Sequence, residues 1–504
     1  LRQALGDDPA KPLYLQTVAR RGYRFIAEVE SAAPPSAGRA EGQSSDASER
    51  TPALAVLDFT NVTGDPEVAW LTSGIAETLT NDLRVQAKLR VIDRVRVVEA
   101  ARTGGGGLEA LRQALRMDLA VAGSFQRAGS RLRVTARVVD AASGEALADA
   151  KADGELADVF DLQDRIVAQL GDALNASRRV GEPRRAARET SSLEAYQAFT
   201  EGRVRLESLD ANQVAGAITD FERAIARDPR YAVAYVGLAN ARFWQYEMSR
   251  ARNHPEAALL AQAIDHVRQA IELERDLADA HATLAFLLVS AGRAAEALEA
   301  ARRAVALSPG YWGNQFRLAH AAWGAERLRA LARVTEMYPD FPFAHFEAAM
   351  VHIARGALDR AESILREGVI AQDRQAHLRQ RYPARGLHWL LGLVRLARGD
   401  VAEARAEFQR EAEGGEAQLY AREFAMNAHD GLGFADVLHG DPRAAAAHFR
   451  RALKLYPDHA RSLVGVGASL AAAGDKPGAR KAFAEAERAI EKLHRGGRAA
   501  EACL

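Results

Sequence analysis

The sequence predicts a multidomain protein in which an α/β domain leads into a long all-α repeat array, with a lone β-hairpin ahead of both. Three observations carry that expectation. The 504 residues allow about three domains at roughly 150 residues each. Strand-like and helix-like hydrophobic periods alternate from residue 53 to 177, after which only helical periods follow. Through that second part, small residues and prolines return at fixed offsets.

The first element is the stretch PLYLQTVARRGYRFIAEV, Pro12 to Val29, which alternates as a β-hairpin does and sets Arg20, Arg21 and Arg24 about its turn. Tyr14, Tyr23 and Phe25 give it a large apolar face, and an isolated two-stranded hairpin is marginal in water. It is therefore expected to belong to a larger domain, of which residues 1–30 are the C-terminal part. Leu1 stands where a start methionine is expected, so the reading is that residues precede it. Residues 31–52 are rich in Pro, Ala, Ser and Gly and are expected to form a flexible linker.

Residues 53–177 read as one α/β domain. ALAVLDF (Ala53 to Phe59) is a short apolar strand, and the helix after it places Leu71, Ile75, Leu79 and Leu83 on one face. KLRVIDR (Lys88 to Arg94) reads as a second strand. Beyond Gly104 to Gly107 come the helix LEALRQALR and the strand DLAVAGSFQR. Leu132, Val134, Ala136 and Val138 alternate with polar residues in a hairpin that turns at Ser143 and Gly144. DVFDLQDRIVAQLGDAL closes the domain as a helix, and residues 178–192 form a basic hinge.

Residues 193–495 read as the helical array. Ala217-Phe221-Ala224-Pro229 recurs as Ala297-Ala301-Ala304-Pro309 and as Ala445-Phe449-Ala452-Pro457. Ala479-Phe483-Ala486 follows 34 residues after Ala445, and weaker copies start at Ala361-Leu365 and Ala404-Phe408. Offsets of four and three put these residues on one helical face, where alanine lets a neighbouring helix come close. Proline then ends the helix, because it lacks the next N–H donor. Gly292, Gly399, Gly440 and Gly474 are placed to end the preceding helix in a left-handed turn. The register drifts between Pro309 and Ala404: one repeat is shortened near WGAERLRALARVTEMYPD, and DRQAHLRQRYPARG is extra.

A 34-residue period of helix pairs resembles the tetratricopeptide repeat. The resemblance implies a superhelix whose first helices line a concave groove. It puts Asn240, Phe243, Phe286, Val289, Trp389, Leu393, Asn427, Asp430 and Phe434 at groove-facing positions. Half of these could equally pack between repeats. The mixture of apolar and polar groups suits a peptide or a helix from a protein partner.

Composition excludes several classes of function. Lys+Arg and Asp+Glu both number 67, so no global basic field draws the chain to nucleic acid and any DNA contact must be local. The one cysteine, Cys503, rules out a disulfide framework and a cysteine zinc site. The most apolar windows, LAFLLVSAG and LHWLLGLVRLARG, fall short of the roughly 18–20 apolar residues of a membrane span. With no signal-peptide pattern either, a cytoplasmic location and no membrane partner are expected. TGGGGLEAL lacks the Gly-Lys-Ser/Thr of a phosphate loop. His345 and His352 stand seven apart with no H-E-x-x-H motif, so they point to a helix surface rather than a metal site. Asp58 and Asp65 flank the first strand-to-helix turn, where Asp65-Pro66 suits a helix start. No catalytic residue, metal ligand or cofactor is expected, and the chain is not expected to be an enzyme.

Two more stretches resemble known families. Leu1-Arg2, Leu5-Gly6-Asp7-Asp8, Pro12, Tyr14, Thr17-Val18 and Arg21-Gly22-Tyr23-Arg24-Phe25 resemble the C-terminal end of the OmpR/PhoB-type winged helix, found in CadC- and ToxR-like regulators. That resemblance implies that Leu1 to Leu5 end a recognition helix and that residues 14–26 are the wing. It implies that Arg2, Arg20, Arg21 and Arg24 meet double-stranded DNA once the winged helix is complete. LAVLDFTNVTGDPEVAWLTSGIAETLTNDL, LRVIDR and the stretch from Met117 to Leu170 resemble the TolB N-terminal-like domain. Together the resemblances imply a transcriptional regulator whose array binds a protein, senses a signal or holds a homo-oligomer. The alternative is a non-catalytic interaction scaffold with a vestigial DNA-binding segment. A third reading is an accessory domain set for a nucleotide cyclase or kinase lying upstream.

Overall fold

A computed structural model describes residues 15–18, 22–25, 52–86, 89–103, 107–176, 190–208, 210–252, 255–374, 384–414 and 420–495. Strands β1 (Leu15–Val18) and β2 (Gly22–Phe25) pair antiparallel, with Leu15 opposite Phe25 and Val18 opposite Gly22. An antiparallel hairpin is what the alternation predicts. Arg2, Arg20 and Arg21 lie outside the described residues, as do residues 31–51 of the linker and 178–189 of the hinge. Arg24 falls in β2, of which only the backbone is described. Residues 51–504 form a compact unit of their own.

That unit opens with strands β3 (Ala53–Val56) and β4 (Thr60–Asn61), helix α1 (Leu71–Gln86), strand β5 (Arg90–Val91), and helices α2 (Arg94–Thr103) and α3 (Leu108–Leu115). Strands β6 (Leu119–Ala128), β7 (Arg131–Asp140) and β8 (Ala146–Glu155) and helix α4 (Val159–Ala176) follow. The sheet order is β5-β3-β6-β7-β8, with β4 also paired to β6. β3 is parallel to β5 and β6, and β7 runs antiparallel to both of its neighbours, β6 and β8. Successive side chains of a strand point to opposite faces. Leu54 and Val56 therefore enter a core under α1 and α4, and Ala53 and Ala55 enter a second core under α2 and α3. Leu71, Ile75, Leu79 and Leu83 are fully buried in the first core, along with Leu132, Val134 and Val138 of β7.

The strand read at Lys88 to Arg94 is corrected. Only Arg90–Val91 pairs, and Arg94 starts α2, a helix the sequence reading did not assign. RVRVVEAART alternates like a strand, but Asp93 before it redirects the chain. Its Oδ1 accepts the Val95 N–H at 2.9 Å, one of the donors a helix start leaves open. Arg94 turns inward to Val56 O at 3.3 Å and pairs with Asp58. Asp65 acts as a cap, accepting the Glu67 N–H at 2.9 Å ahead of a short 3₁₀ turn with Pro66 in its first position.

Eight helical hairpins follow among the described residues. They are α5 (Leu193–Glu207) with α6 (Val214–Arg227), α7 (Ala232–Ala251) with α8 (Ala257–Leu273), α9 (Ala278–Ser290) with α10 (Ala294–Leu307), and α11 (Trp312–Ala321) with α12 (Gly324–Met337). The rest are α13 (Pro342–Ala354) with α14 (Leu358–Arg374), α15 (Leu387–Arg398) with α16 (Val401–Glu413), α17 (Ala421–His439) with α18 (Pro442–Leu455), and α19 (Ala460–Ala472) with α20 (Lys476–Arg495). The repeated Ala-Phe-Ala face is buried throughout α6 and α18. Each phenylalanine packs onto glycines of the two flanking first helices. A Cβ on Gly433 or Gly465 would lie 2.7 or 2.6 Å from the Phe449 ring, and Gly392 and Gly431 press on Phe408 in the same way. Phe483 of the last hairpin stays 38% exposed, since no described hairpin follows to cover it. Gly292, Gly399, Gly440 and Gly474 all take positive φ, as the turns require.

Two hairpins escaped the pattern. In α8 the face is Ala263-Val267-Ala270 with no proline after it, and in α12 it is Arg327-Leu331-Val334. Arg327 occupies the small position because backbone carbonyls and a carboxylate receive its guanidinium there. Nε donates to Ala319 O and Ala322 O, each at 2.9 Å, and Nη1 meets Glu347 at 2.7 Å. α11, in the stretch read as shortened, is ten residues long. No helix among the described residues is long and apolar enough to cross a membrane.

Candidate functional site

Two sets of contacts hold the α/β domain against the array. At the first, Tyr196 of α5 enters the α/β core, donating to Gly74 O at 2.7 Å and lying 2.8 Å from the Thr78 hydroxyl. The rings of Trp70 and Phe160 pack on it, and Arg203 pairs with Glu77. That neighbouring cation holds the Glu77 carboxyl below its usual range although burial pushes the other way. At the second, Arg96 stacks on the Tyr338 ring at 3.8 Å, Arg90 donates to Met337 O at 2.9 Å, and Arg116 pairs with Asp340 at 3.0 Å. β5, α2 and the end of α3 are thereby set against the C-terminal end of α12.

The array also closes on itself. Arg250 near the end of α7 bonds Glu423 of α17 at 2.9 Å, across 173 residues, while holding Glu247 at 3.0 Å. Its guanidinium lies 5.1 Å from the Tyr420 ring centre. Arg422 donates to Leu455 O at 2.6 Å and to Ala251 O at 3.4 Å.

Between these contacts lies a cavity of about 2460 Å³. Its wall draws on α2, on the first helices of the array and on residues of α20. Seventeen of the chain's 33 aromatic residues line it, including Trp244, Trp312 and Trp389. Such density marks a surface built to bury apolar groups while keeping ring faces for cations. Arg317 already stacks on Phe286 at 3.9 Å.

Of the nine groove positions named from the repeat, Asn240, Phe243, Phe286, Trp389, Asn427 and Phe434 line this one cavity. Phe434 is 39% exposed. The other three do not line it. Val289 and Leu393 pack against cores between helices. Asp430 is buried, accepting from Ser462 Oγ at 2.6 Å and Arg461 Nε at 3.3 Å. Burial pushes its carboxyl up, against the pull of those two partners. Asp430 is drawn into the helix interface because Ser462 and Arg461 of α19 offer it partners.

The sequence reading missed the other end of the wall. Tyr311, Trp312, Phe316, Tyr338, Phe341, Phe343 and Phe346 crowd one part of it. The aromatic run from Tyr311 to Phe346 was the available signal. Tyr311 also meets the α/β domain: its hydroxyl bonds Asp93, and desolvation, then Asp93 and Asp279, push it well above the usual tyrosine range. Asp279 of α9 opens onto the cavity rather than the outer surface. Desolvation raises its carboxyl, with Arg84 opposing and Glu77 and Asp93 adding to the rise. Among the described residues, no group of three or more His, Cys, Asp or Glu side chains is arranged to hold a metal ion.

Residues 437–492 match the tetratricopeptide repeat family model. The chain is 28% identical over 238 residues to "Putative adenylate cyclase 3" of Rhizobium meliloti, covering 47% of this chain and 40% of that protein. It is 37% identical over 109 residues to "Probable biofilm formation methyltransferase WspC" of Pseudomonas putida, covering 21% and 24%. The chain thus spans less than half the length of either curated relative. Among solved structures, it is similar to a human IFIT1 dimer with PPP-AAAA, at 16% identity and a TM-score of 0.41 over 66% of this chain and 81% of that one. It is also similar to a tetratricopeptide repeat protein from Parabacteroides merdae, at 14% identity and a TM-score of 0.39 over 54% and 99%.

Proposed function

We propose that the chain is a non-catalytic interaction scaffold whose repeat array captures an extended peptide segment of a protein partner. The observation that carries this reading is the aromatic-lined cavity on the inner face of a helical-hairpin array. Wide, ring-lined and fed by successive hairpins, it offers a row of pockets to alternate side chains of one chain. Relatives named for two different reactions share parts of this chain, as expected of a module joined to different effectors. A random-peptide library selected on the intact chain should enrich binders. Trp389→Ala combined with Phe434→Ala should weaken them by at least about tenfold. Failure to enrich any binder, or binders indifferent to both substitutions, would sink the reading.

A second reading starts from the antiparallel β1–β2 hairpin, an element that a wing would contain. In it the hairpin completes an OmpR/PhoB-type winged helix, the TolB-like domain links it to the array, and the protein regulates transcription in the cytoplasm. Joined to the remainder of a winged helix, the chain should bind duplex DNA with an affinity that falls steeply with salt. Arg20→Ala with Arg21→Ala should cost roughly 1–3 kcal/mol. Binding that ignores salt, or no binding, would discard the reading and leave the scaffold.

A further inference from the structure

We propose that the segment captured by the groove is cationic, its lysine or arginine side chains seated against the cavity's carboxylates and ring faces. The inference rests on the scaffold reading and specifies the partner's chemistry. It starts from the charges that line the wall. Eight carboxylates face the cavity against five arginine and lysine side chains. All five cations are already engaged. Arg250 sits between Glu247 and Glu423, Lys492 is on Asp458 at 2.6 Å, and Arg461 is on Asp430 and Asn427. Arg96 and Arg317 lie over the rings of Tyr338 and Phe286. The carboxylates are not all matched. Asp279 and Glu256 form no ion pair among the described residues, although both line the wall; Arg84, over the Tyr311 ring at 5.0 Å, acts on Asp279 only from a distance. The uncompensated charge of the cavity is therefore negative.

Two physical consequences follow. An anionic polymer entering this space would meet carboxylates while finding every cation spent, which disfavours nucleic acid despite the aromatic lining. A peptide cation gains twice, from a carboxylate held in a partly desolvated wall and from the negative faces of the surrounding rings. The molecule makes the same pairing with its own side chains, in Arg96 on Tyr338 and in Arg250 between two glutamates and Tyr420. Desolvation already disfavours the charged form of Asp279, and an incoming cation would relieve that cost.

The test uses the intact chain and three fluorescein-labelled probes. One is a peptide of about twelve residues mixing leucine, glycine and lysine, the second is its twin with glutamate for every lysine, and the third is a single-stranded oligouridylate; all are read by anisotropy at low salt. The lysine peptide is expected to bind at least about tenfold tighter than its twin, and the gap should shrink as salt is raised. Asp279→Asn with Glu256→Gln should close most of the gap while the protein keeps its helical circular dichroism. Asp279→Lys alone should reverse it. Glu109→Gln, outside the cavity, should leave it unchanged. Equal binding of the two peptides would overturn the charge inference and leave the groove reading standing. Tighter binding of the glutamate twin or the oligouridylate would overturn it outright. Binding of no probe would overturn the groove reading itself.

Discussion

Replacing Arg250 by methionine tests whether the array is held closed by the contacts between α7 and α17. Arg250 donates to Glu247 from Nε at 3.1 Å and from Nη2 at 3.0 Å, and Glu247 is only 4% exposed. Methionine keeps the apolar stem and removes both bonds, leaving that carboxylate buried without its cation. Losing charge-assisted bonds of this kind costs about 1.5–3 kcal/mol. The Glu423 arm is more exposed and adds no more than about 1 kcal/mol. The Tyr420 ring adds about 0.5–1 kcal/mol. These contributions sum to a local loss of about 2–5 kcal/mol. A repeat array does not unfold as one unit, so the local measurement is the informative one. Hydrogen exchange of the amides in Ala232–Ala251 and Ala421–His439 should speed up by at least about 30-fold, and the radius of gyration from solution scattering should rise. Glu423→Gln removes only the cross-array arm, so it should reproduce the expansion with a smaller change in exchange. Unchanged exchange and scattering in Arg250→Met would refute the reasoning, since the buried carboxylate would then have been compensated by other groups.

Three more expectations concern the fold and its response to pH. Phe408→Ala should destabilise the hairpins around it by about 3–5 kcal/mol, and Gly431→Ala by about 1–3 kcal/mol through overpacking; chemical denaturation followed by circular dichroism checks both. Tyr196→Phe removes the hydroxyl bonded to Gly74 O and Thr78 in the α/β core. It should cost about 1–3 kcal/mol, seen as faster proteolysis between the domain and the array. His448 is pushed down to about 4, chiefly by burial and then by His429, Arg451 and Arg405, although Asp436 lies 3.6 Å away. A histidine depressed in the folded state binds its proton more readily when unfolded. Its contribution is thus fully present above the unfolded value near 6.5 and is lost as pH falls from there to about 4, by up to about 3 kcal/mol. His448→Gln should flatten that part of the stability–pH curve, and an unchanged slope would contradict the assignment.

What the sequence made legible was whatever depends on a short period. The face of α1, the alternation of β7 and the Ala-Phe-Ala face of α6 and α18 all follow from which residues share a side of one element. α2 was not legible, because RVRVVEAART has strand-like alternation and its helix depends on the Asp93 carboxylate and on Arg94 finding Val56 O and Asp58. The hairpin with Arg327 in the small position was obscured for a related reason. A buried arginine is tolerable only where distant carbonyls and Glu347 receive it, and no local rule announces them. The groove was half legible. Repeat positions predict which residues sit on first helices, and Asn240, Phe243, Phe286, Trp389, Asn427 and Phe434 do share a cavity. They do not predict that Asp430 turns to Ser462, nor that α2 of the preceding domain supplies part of the wall.

That last contribution bears on how the chain can work. Asp93 and Arg96 are used twice: they dock the α/β domain on Tyr311 and Tyr338, and they face the cavity. A ligand in contact with that wall touches both parts of the molecule at once. Its binding energy is then shared between the array and the domain contact, and linkage requires the effect to run both ways. A ligand cation that pairs with Asp279 would relieve its repulsion with Asp93, the carboxylate that holds Tyr311, and so favour the docked arrangement. Loosening the dock by Arg96→Ala, which removes the stacking on Tyr338, must correspondingly weaken that ligand. The α/β domain is in this sense one wall of the cavity, and a ligand seated there would be felt by the domain that lies between the array and the N-terminal hairpin in the chain.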